Sequence, residues 1–353
     1  MGVTTPAAEL EGVVIGYDRE PVVSDFGLTV AADEMVVLLG PSGSGKSTIL
    51  GAIAGFIPIR SGVIRVGGRV VAGDGRHEPP ERRDVAVVFQ SSALWPHLSA
   101  LDTVAYPLRR RAVAAEAARR EAGAILTRLG IERLADRRPA EMSGGEQQRV
   151  GLGRALARGA RLHLFDEPTA HLDGPLRDRL LVEIAVTRRE VGAAGIYATH
   201  DSAEALAIAD RVLLLRDGTV IQAGTPTEVY EAPVDPWAAR LTGPASEIEA
   251  RLLGAVGDVA ELSVAGVRIR ARVDGCLDPG AAAADLVRIL VRPDWAALGG
   301  PLPGSVTASR FRGSHTDVDL DTPAGPITIR QPGPPSVAVG DPTGWSLRRG
   351  RRI

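Results

Sequence analysis

Short runs of Val, Leu and Ile punctuate the chain at Met35 to Leu39, Val85 to Phe89, Leu162 to Phe165, Gly195 to Thr199 and Arg211 to Leu215. Each has the length of a strand, and helical stretches separate several of them, so the pattern predicts a mainly parallel α/β sheet. Between Leu101 and Gly130 the chain is rich in Ala, Arg and Glu, with Ile125, Leu126 and Leu129 at helical spacing. That spacing predicts a helical insert, expected within about residues 91–155. After Thr242 Gly and Pro become dense, and short alternating pairs appear, Val318 with Leu320 and Ile327 with Ile329. They predict a small β-rich domain over 243–353, following a larger domain over 1–242. The tail Arg348-Arg349-Gly350-Arg351-Arg352 is expected to be a solvated terminus.

Composition narrows the function classes. A chain of 353 residues exceeds one average domain, which agrees with the two-part reading. Charged residues make up 24% and the formal net charge is -2, so there is no global basic field and no nucleic-acid partner is expected. Cys276 stands alone and cannot form an internal disulfide, which fits a reducing compartment. The start of the chain lacks a basic segment leading into an apolar one, so no secretory leader is expected. The most apolar uncharged stretch, Ile49 to Ile59, ends at Arg60, well short of the roughly 20 residues of a spanning helix. A cytosolic chain is expected, with any membrane role working through another protein. No internal repeat is visible.

Gly40-Pro41-Ser42-Gly43-Ser44-Gly45-Lys46-Ser47, followed by Thr48, matches the pattern G-x-x-x-x-G-K-[ST] between a strand-like and a helical run. Its glycines let backbone N–H groups turn inward around phosphate oxygens, and the helix presents its positive end to them. Lys46 would reach the β- and γ-phosphates of a nucleotide, and Ser47 would give its hydroxyl to Mg²⁺. A flexible Gly/Ser turn is the alternative, which the flanking strand and helix disfavour. The loop by itself says only that a nucleotide binds.

Ser143-Gly144-Gly145-Glu146-Gln147-Gln148-Arg149 is followed by Leu162-His163-Leu164-Phe165-Asp166-Glu167-Pro168, and this order resembles the ATP-binding-cassette (ABC) ATPases over roughly residues 10 to 240. Gln90 falls where that family has its Q-loop, Ala170-His171-Leu172-Asp173 resembles the D-loop, His200 the switch histidine, and Tyr17 the aromatic that stacks on adenine. The resemblance implies that Asp166, Ser47 and Gln90 serve Mg²⁺, that Glu167 polarises the attacking water, and that His200 orients it and touches the γ-phosphate. Independently, an apolar strand ending in two acids would deliver Asp166 to the metal and Glu167 to the water. A solvated strand end is the plainer alternative. His163 and His171 are expected to be packing or loop residues.

In the resembled family two subunits sandwich ATP, so Ser143, Gly144, Gly145, Glu146 and Asp173 would serve a nucleotide held by a second copy of the chain. Two departures stand out: Glu146 where Gln is commoner, and Met142 where Leu is usual. A carboxylate near ATP should repel it, so Glu146 either points away, into the helix N-terminal field, or slows the cycle.

Leu94-Trp95-Pro96-His97-Leu98 resembles the stretch after the Q-loop where importer ATPases dock an integral-membrane permease, so contact is expected around Gln90 to Leu108. Trp95 is either an interface anchor or a residue packed under the helical insert. Ser91 and Ser92 carry no signal. Val291-Arg292-Pro293-Asp294 and Ser309-Arg310-Phe311-Arg312-Gly313 are similar to the regulatory oligonucleotide-fold-like barrel, called TOBE, of importer ATPases. The expected fold is thus an α/β P-loop ABC ATPase domain with a helical subdomain, followed by a small β-rich OB-like (TOBE) domain. The expected function is ATP hydrolysis on the cytoplasmic membrane face, coupled through a permease, and indirectly a solute-binding protein, to uptake. The stretch around Trp95 and the short final barrel look more like the iron(III), thiamine and polyamine branch than the sugar branch. The alternatives are a sugar importer, a non-transport ABC ATPase of nucleic-acid maintenance or translation, or a P-loop kinase. Against the last two stand the single cassette, the lack of long heptads and zinc-type cysteine clusters, and the signature and switch elements.

Overall fold

A computed structural model describes residues 5–17, 20–89, 93–170, 172, 174–190, 192–275 and 286–353, with the backbone alone for Tyr17 and Thr187. The chain opens with β1 (Ala8–Tyr17), β2 (Glu20–Val30), β3 (Met35–Leu39), α1 (Lys46–Ala54), β4 (Ile59–Val66), β5 (Arg69–Gly73) and β6 (Arg76–His77). Next come β7 (Val85–Val88), α2 (Ala100–Arg110), α3 (Ala115–Arg128), α4 (Gly144–Ala157) and β8 (Leu162–Asp166). They are followed by α5 (Gly174–Glu190), β9 (Ala194–Thr199), α6 (Ser202–Ile208), β10 (Arg211–Arg216) and β11 (Thr219–Gly224). The remainder comprises α7 (Pro226–Glu231), α8 (Pro236–Thr242), β12 (Ser246–Val256), β13 (Val259–Val264), β14 (Val267–Asp274) and β15 (Leu286–Val291). It closes with β16 (Ala296–Phe311), β17 (His315–Asp321), β18 (Ile327–Pro332), β19 (Pro342–Leu347) and β20 (Arg349–Arg352).

The chain divides into compact units Met1–Pro226 and Thr227–Ile353. In the first, a six-stranded sheet runs β11-β10-β3-β9-β8-β7. All its neighbours are parallel except edge strand β11. Every residue of β3 and β9 is buried, as parallel strands covered on both faces require. Strands β3, β8 and β9 end at Leu39, Asp166 and Thr199, so the segments after them share the carboxyl edge of the sheet, where open α/β sheets place ligands. A second, antiparallel sheet of order β2-β1-β4-β5-β6 has no counterpart in the sequence reading. In β1 the alternation of buried positions is broken by a bulge at Gly12 (φ 55°), which carries the chain from Leu10 to Val13 in one register shift. That step of three instead of two hides the strand period from a pattern search.

Strands β12, β13, β14, β20 and β15 of the second unit close into a barrel, and β18-β17-β16-β19 form a further sheet. The paired alternation read from the sequence is real: Val318 lies opposite Ile329 and Leu320 opposite Ile327, all buried. Two expectations differ from the structure. The tail is not a solvated terminus, because β20 pairs with β14 and β15 and closes the barrel. Arg349 there reaches Asp274 at 2.6 Å and Glu231 at 3.1 Å, with its guanidinium 4.5 Å from the Trp295 ring centroid. The division also falls at Pro226, earlier than Thr242, and Arg292 supplies the reason. This fully buried guanidinium donates to the carbonyls of Tyr230 (2.7 Å), Ala239 (2.8 Å), Gly243 (3.1 Å) and Pro244 (3.2 Å) and to Thr242 Oγ1 (2.9 Å). It also lies 4.1 Å from the centre of the Tyr230 ring, so α7 and α8 are held to β15.

Candidate functional site

The loop between β3 and α1 has the shape its glycines dictate. Gly43 (φ 83°) and Gly45 (φ 97°) lie in the left-handed region. A Cβ at Gly40 would meet the Leu215 carbonyl at 2.4 Å, so the loop can follow this path only without a side chain there. Lys46 and Thr48 are buried at the start of α1, and the hydroxyl of Ser44 is buried with no hydrogen-bond partner. Pro41, Ser42, Gly43 and Ser47 stay exposed. The Lys46 ammonium donates to the carbonyls of Gly40 (2.8 Å) and Pro41 (2.9 Å). Burial lowers its pKa, against the pull of Glu167 and Asp166.

Across the sheet edge, the Ser47 hydroxyl donates to Asp166 Oδ1 at 2.9 Å. Burial raises the Asp166 pKa and the neighbouring Glu167 adds to the rise, opposed by the Ser47 hydrogen bond and the Lys46 charge. A hydroxyl and a carboxylate side by side are hard oxygen donors of the sort Mg²⁺ takes alongside phosphate oxygens, so the residues present fit that ion. Immediately after Asp166, Glu167 adopts φ 45°, a left-handed conformation rare outside glycine, pinned by its N–H donating to the Ala198 carbonyl at 3.0 Å. Its carboxylate lies 3.1 Å from Nδ1 of His200, whose ring is largely exposed. The structure therefore brings Lys46, Ser47, Asp166, Glu167 and His200 to one edge. Gln90, Asp173, His171, Ser91, Ser92, Cys276 and the Tyr17 side chain lie outside the described residues.

Ser143, Gly144, Gly145 and Glu146 open α4. Ser143 caps the helix, and Glu146 answers with a carboxylate oxygen accepting from the Ser143 N–H at 2.9 Å. Arg133 donates to the other Glu146 oxygen. These bonds hold the Glu146 pKa below the usual carboxylate range, the Ser143 N–H being the largest cause. Glu146 thus folds back on its own helix start. A Cβ at Gly144 would meet nothing within 4 Å, whereas one at Gly145 would meet Leu172 at 2.9 Å, so the second glycine answers to packing within the chain. Met142, just before the Ser143 cap, is buried.

Trp95 is half-buried. Its ring centroid is 4.8 Å from that of Tyr106 on α2, with the Arg154 guanidinium 5.3 Å away. Both aromatics line an open groove of about 1090 Å³, with Phe56, Arg110, Arg111 and Arg154 among its walls. His163 is fully buried beside Phe165, and burial pushes its pKa down to about 4. A packing role suits it. Sequence reading passed over one cluster, Thr169, Arg177, Tyr197, Thr199 and Glu204, because no motif spacing announces a buried hydrogen-bonded carboxylate.

Fold and site together define a P-loop nucleoside triphosphatase. A sequence profile described as ABC transporter matches residues 23–170. The Fe(3+) ions import ATP-binding protein FbpC of Rhizobium etli is 38% identical over 311 residues, 87% of this chain and 85% of that protein. The sn-glycerol-3-phosphate import ATP-binding protein UgpC of Vibrio cholerae is 42% identical over 236 residues, 67% of this chain and 62% of its own. A solved dimeric ATP-binding cassette in a post-hydrolysis state, bound to ADP and Pi, superimposes with a TM-score of 0.57 at 30% identity, covering 62% of this chain and 98% of that one. The chain belongs to the ABC transporter family and is an importer-type ATP-binding ATPase. Among the described residues no helix is long and apolar enough to cross a membrane.

Proposed function

We propose that two copies of this chain sandwich ATP on the cytoplasmic face of a separate permease and drive the uptake of iron(III). The observation that carries the chemistry is the convergence of the Ser47–Asp166 and Glu167–His200 pairs on the sheet edge beside the glycine loop. In this reading the loop of Gly40 to Gly45 wraps the phosphates, and the Lys46 ammonium exchanges its two carbonyl partners for phosphate oxygens. Ser47 and Asp166, with Gln90, would hold Mg²⁺, which when bound offsets phosphate charge. Glu167 accepts the proton of the water that attacks the γ-phosphate as the bond to ADP breaks, and His200 keeps that carboxylate and the water aligned. Tyr17 stacks on adenine, while Ser143, Gly144, Gly145 and Asp173 complete the site of the opposing copy.

For the permease, the groove holding Trp95 and Tyr106 supports docking around Gln90 to Leu108: two aromatic surfaces beside several arginines are the makings of an interface anchor. For the solute, the agreement with the Fe(3+) import protein spans 311 residues and so must run past Pro226 into the second unit. A second reading, import of sn-glycerol-3-phosphate, is favoured by the 42% identity of that relative over 236 residues.

Purification of the tagged chain from its native membranes should bring down a polytopic permease; a soluble or nucleic-acid-bound assembly would overturn transport. Loss of the chain should abolish uptake of radiolabelled iron(III) and spare that of sn-glycerol-3-phosphate, and the reverse pattern would hand the assignment to the second reading. Glu167→Gln should keep ATP bound in a stalled dimer and lower turnover by about 100-fold or more, whereas wild-type turnover would remove Glu167 as the base.

A further inference from the structure

We infer that Glu204 is a positioning residue for hydrolysis, its buried carboxylate fixing the separation of Glu167 and His200 by holding both segments that carry them. The inference rests on the roles proposed above for those two residues. Glu204 lies on α6 with only 4% of its surface exposed. Its Oε1 accepts from the hydroxyl of Thr169, in the turn that Glu167 begins. The second oxygen, Oε2, accepts from Thr199 Oγ1 at 2.8 Å, on the residue before His200, and from the Tyr197 hydroxyl at 3.0 Å. Thr169 Oγ1 and the Tyr197 hydroxyl are themselves 3.2 Å apart, so the ring of contacts closes.

The location gives this carboxylate its leverage. The β8–β9 ladder pairs Asp166 with Ala198, and one further bond joins the Glu167 N–H to the Ala198 carbonyl. Past that point the ladder ends and both segments turn away, with Glu167 in its left-handed conformation. Glu204 bridges the two segments where the backbone no longer does. Thr199 adds a further tie, since its hydroxyl accepts from the Asp201 N–H at 3.0 Å. Arg177 on α5 extends the brace: it lies 3.2 Å from Asp201, 3.5 Å from Glu204 Oε1, and donates to the Leu172 carbonyl at 3.4 Å. A carboxylate that accepts several hydroxyls in a buried site fixes their relative positions, and its loss leaves those hydroxyls unsatisfied. A displacement of about 1 Å in a reacting group can cost about 100-fold in rate, so the brace acts on turnover more than on ATP binding.

The test is ATPase turnover of the full-length chain, read as radiolabelled phosphate release so that slow variants are resolved. Glu204→Gln and Thr169→Val are each measured alone and combined with His200→Ala. Alone, Glu204→Gln is expected to lower kcat by about tenfold or more while KM for ATP stays within about twofold. In the His200→Ala background it is expected to cost less than about twofold, because the alignment it maintains is already lost. Wild-type kcat in Glu204→Gln, or an equal fold-loss with and without His200, would overturn the inference. Should Glu204→Gln fail to fold, Thr169→Val decides by the same criterion, since it removes one hydroxyl and leaves the carboxylate in place. Glu167→Gln in the same assay separates the two levels. If that variant is inactive and the Glu204 losses are additive, only the positioning role falls; if it turns over at the wild-type rate, the base assignment falls and the positioning role with it.

Discussion

Lys46 in the phosphate loop and Arg292 in the C-terminal unit face the same electrostatic problem and meet it differently. Both are buried cations that lean on backbone carbonyls, and burial lowers the pKa of each. Lys46 has two carbonyl partners from its own loop, on a flexible ammonium that can rotate toward new acceptors. Arg292 spreads a planar guanidinium over four carbonyls, a hydroxyl and an aromatic face. In the proposed reading the first arrangement is exchanged for phosphate, whereas the second is a fixed joint. On that reading the number and rigidity of a buried cation's partners, more than its burial, separate a ligand-binding charge from a structural one.

That contrast is broken most readily at Arg292. Arg292→Met should destabilise the C-terminal unit by about 4 kcal/mol, since several buried carbonyls lose their donor, while ATP affinity stays within about twofold. Denaturant unfolding and nucleotide titration of the same preparation check both halves, and a matching loss of ATP affinity would erase the distinction. Lys46→Ala should do the opposite, weakening ATP binding by about 100-fold, or about 2.7 kcal/mol, with unfolding stability changed by less than about 1 kcal/mol. A melt shifted as far as that of Arg292→Met would show that Lys46 too is structural.

His163 sharpens the comparison with a buried group that stays neutral. Its folded pKa of about 4 lies below the ordinary 6.5, so between these values the unfolded chain holds a proton that the native chain does not. The neutral ring's contribution is complete above pH 6.5 and is lost as pH falls toward 4, by about 2 kcal/mol between pH 7 and 5. His163→Leu should flatten that part of the acid limb in denaturant unfolding measured across pH; an unchanged limb would show that the imidazole is not held neutral. The smallest effect is expected at Glu146, whose charge is already engaged by Ser143 and Arg133. Glu146→Gln keeps an oxygen for the Ser143 N–H and should leave turnover within about twofold or raise it, and a tenfold loss would mean that the carboxylate acts on the nucleotide after all.

Legibility followed the range of the interactions. The runs at Met35, Val85, Leu162, Gly195 and Arg211 announced the central sheet because strands buried on both faces are apolar at every position, a local signal. The phosphate loop and the Asp166-Glu167 pair were equally plain, since their chemistry demands particular residues at fixed spacing. The antiparallel sheet was hidden by the Gly12 bulge, and the closing strand β20 by its arginines, which look solvated until Asp274 and Glu231 are brought beside Arg349. Thr242 looked like a boundary because composition changes there, whereas Arg292 reaches back over it through contacts no local window contains. The Glu204 cluster was illegible for the same reason: its hydroxyls come from separate segments and meet only in the fold.

The left-handed backbone at Glu167 has a consequence for how this chain can change. A glycine or asparagine at that position would relax the conformation, in a site that holds a strained backbone at a cost of order 1–3 kcal/mol. Selection for heat tolerance alone would therefore reward replacements at Glu167 that remove the carboxylate, and a laboratory library screened only for soluble, heat-resistant protein should enrich them. Screens meant to harden this ATPase need a turnover readout from the first round, because on the role proposed for Glu167 one of its accessible stabilising steps leads to a silent enzyme.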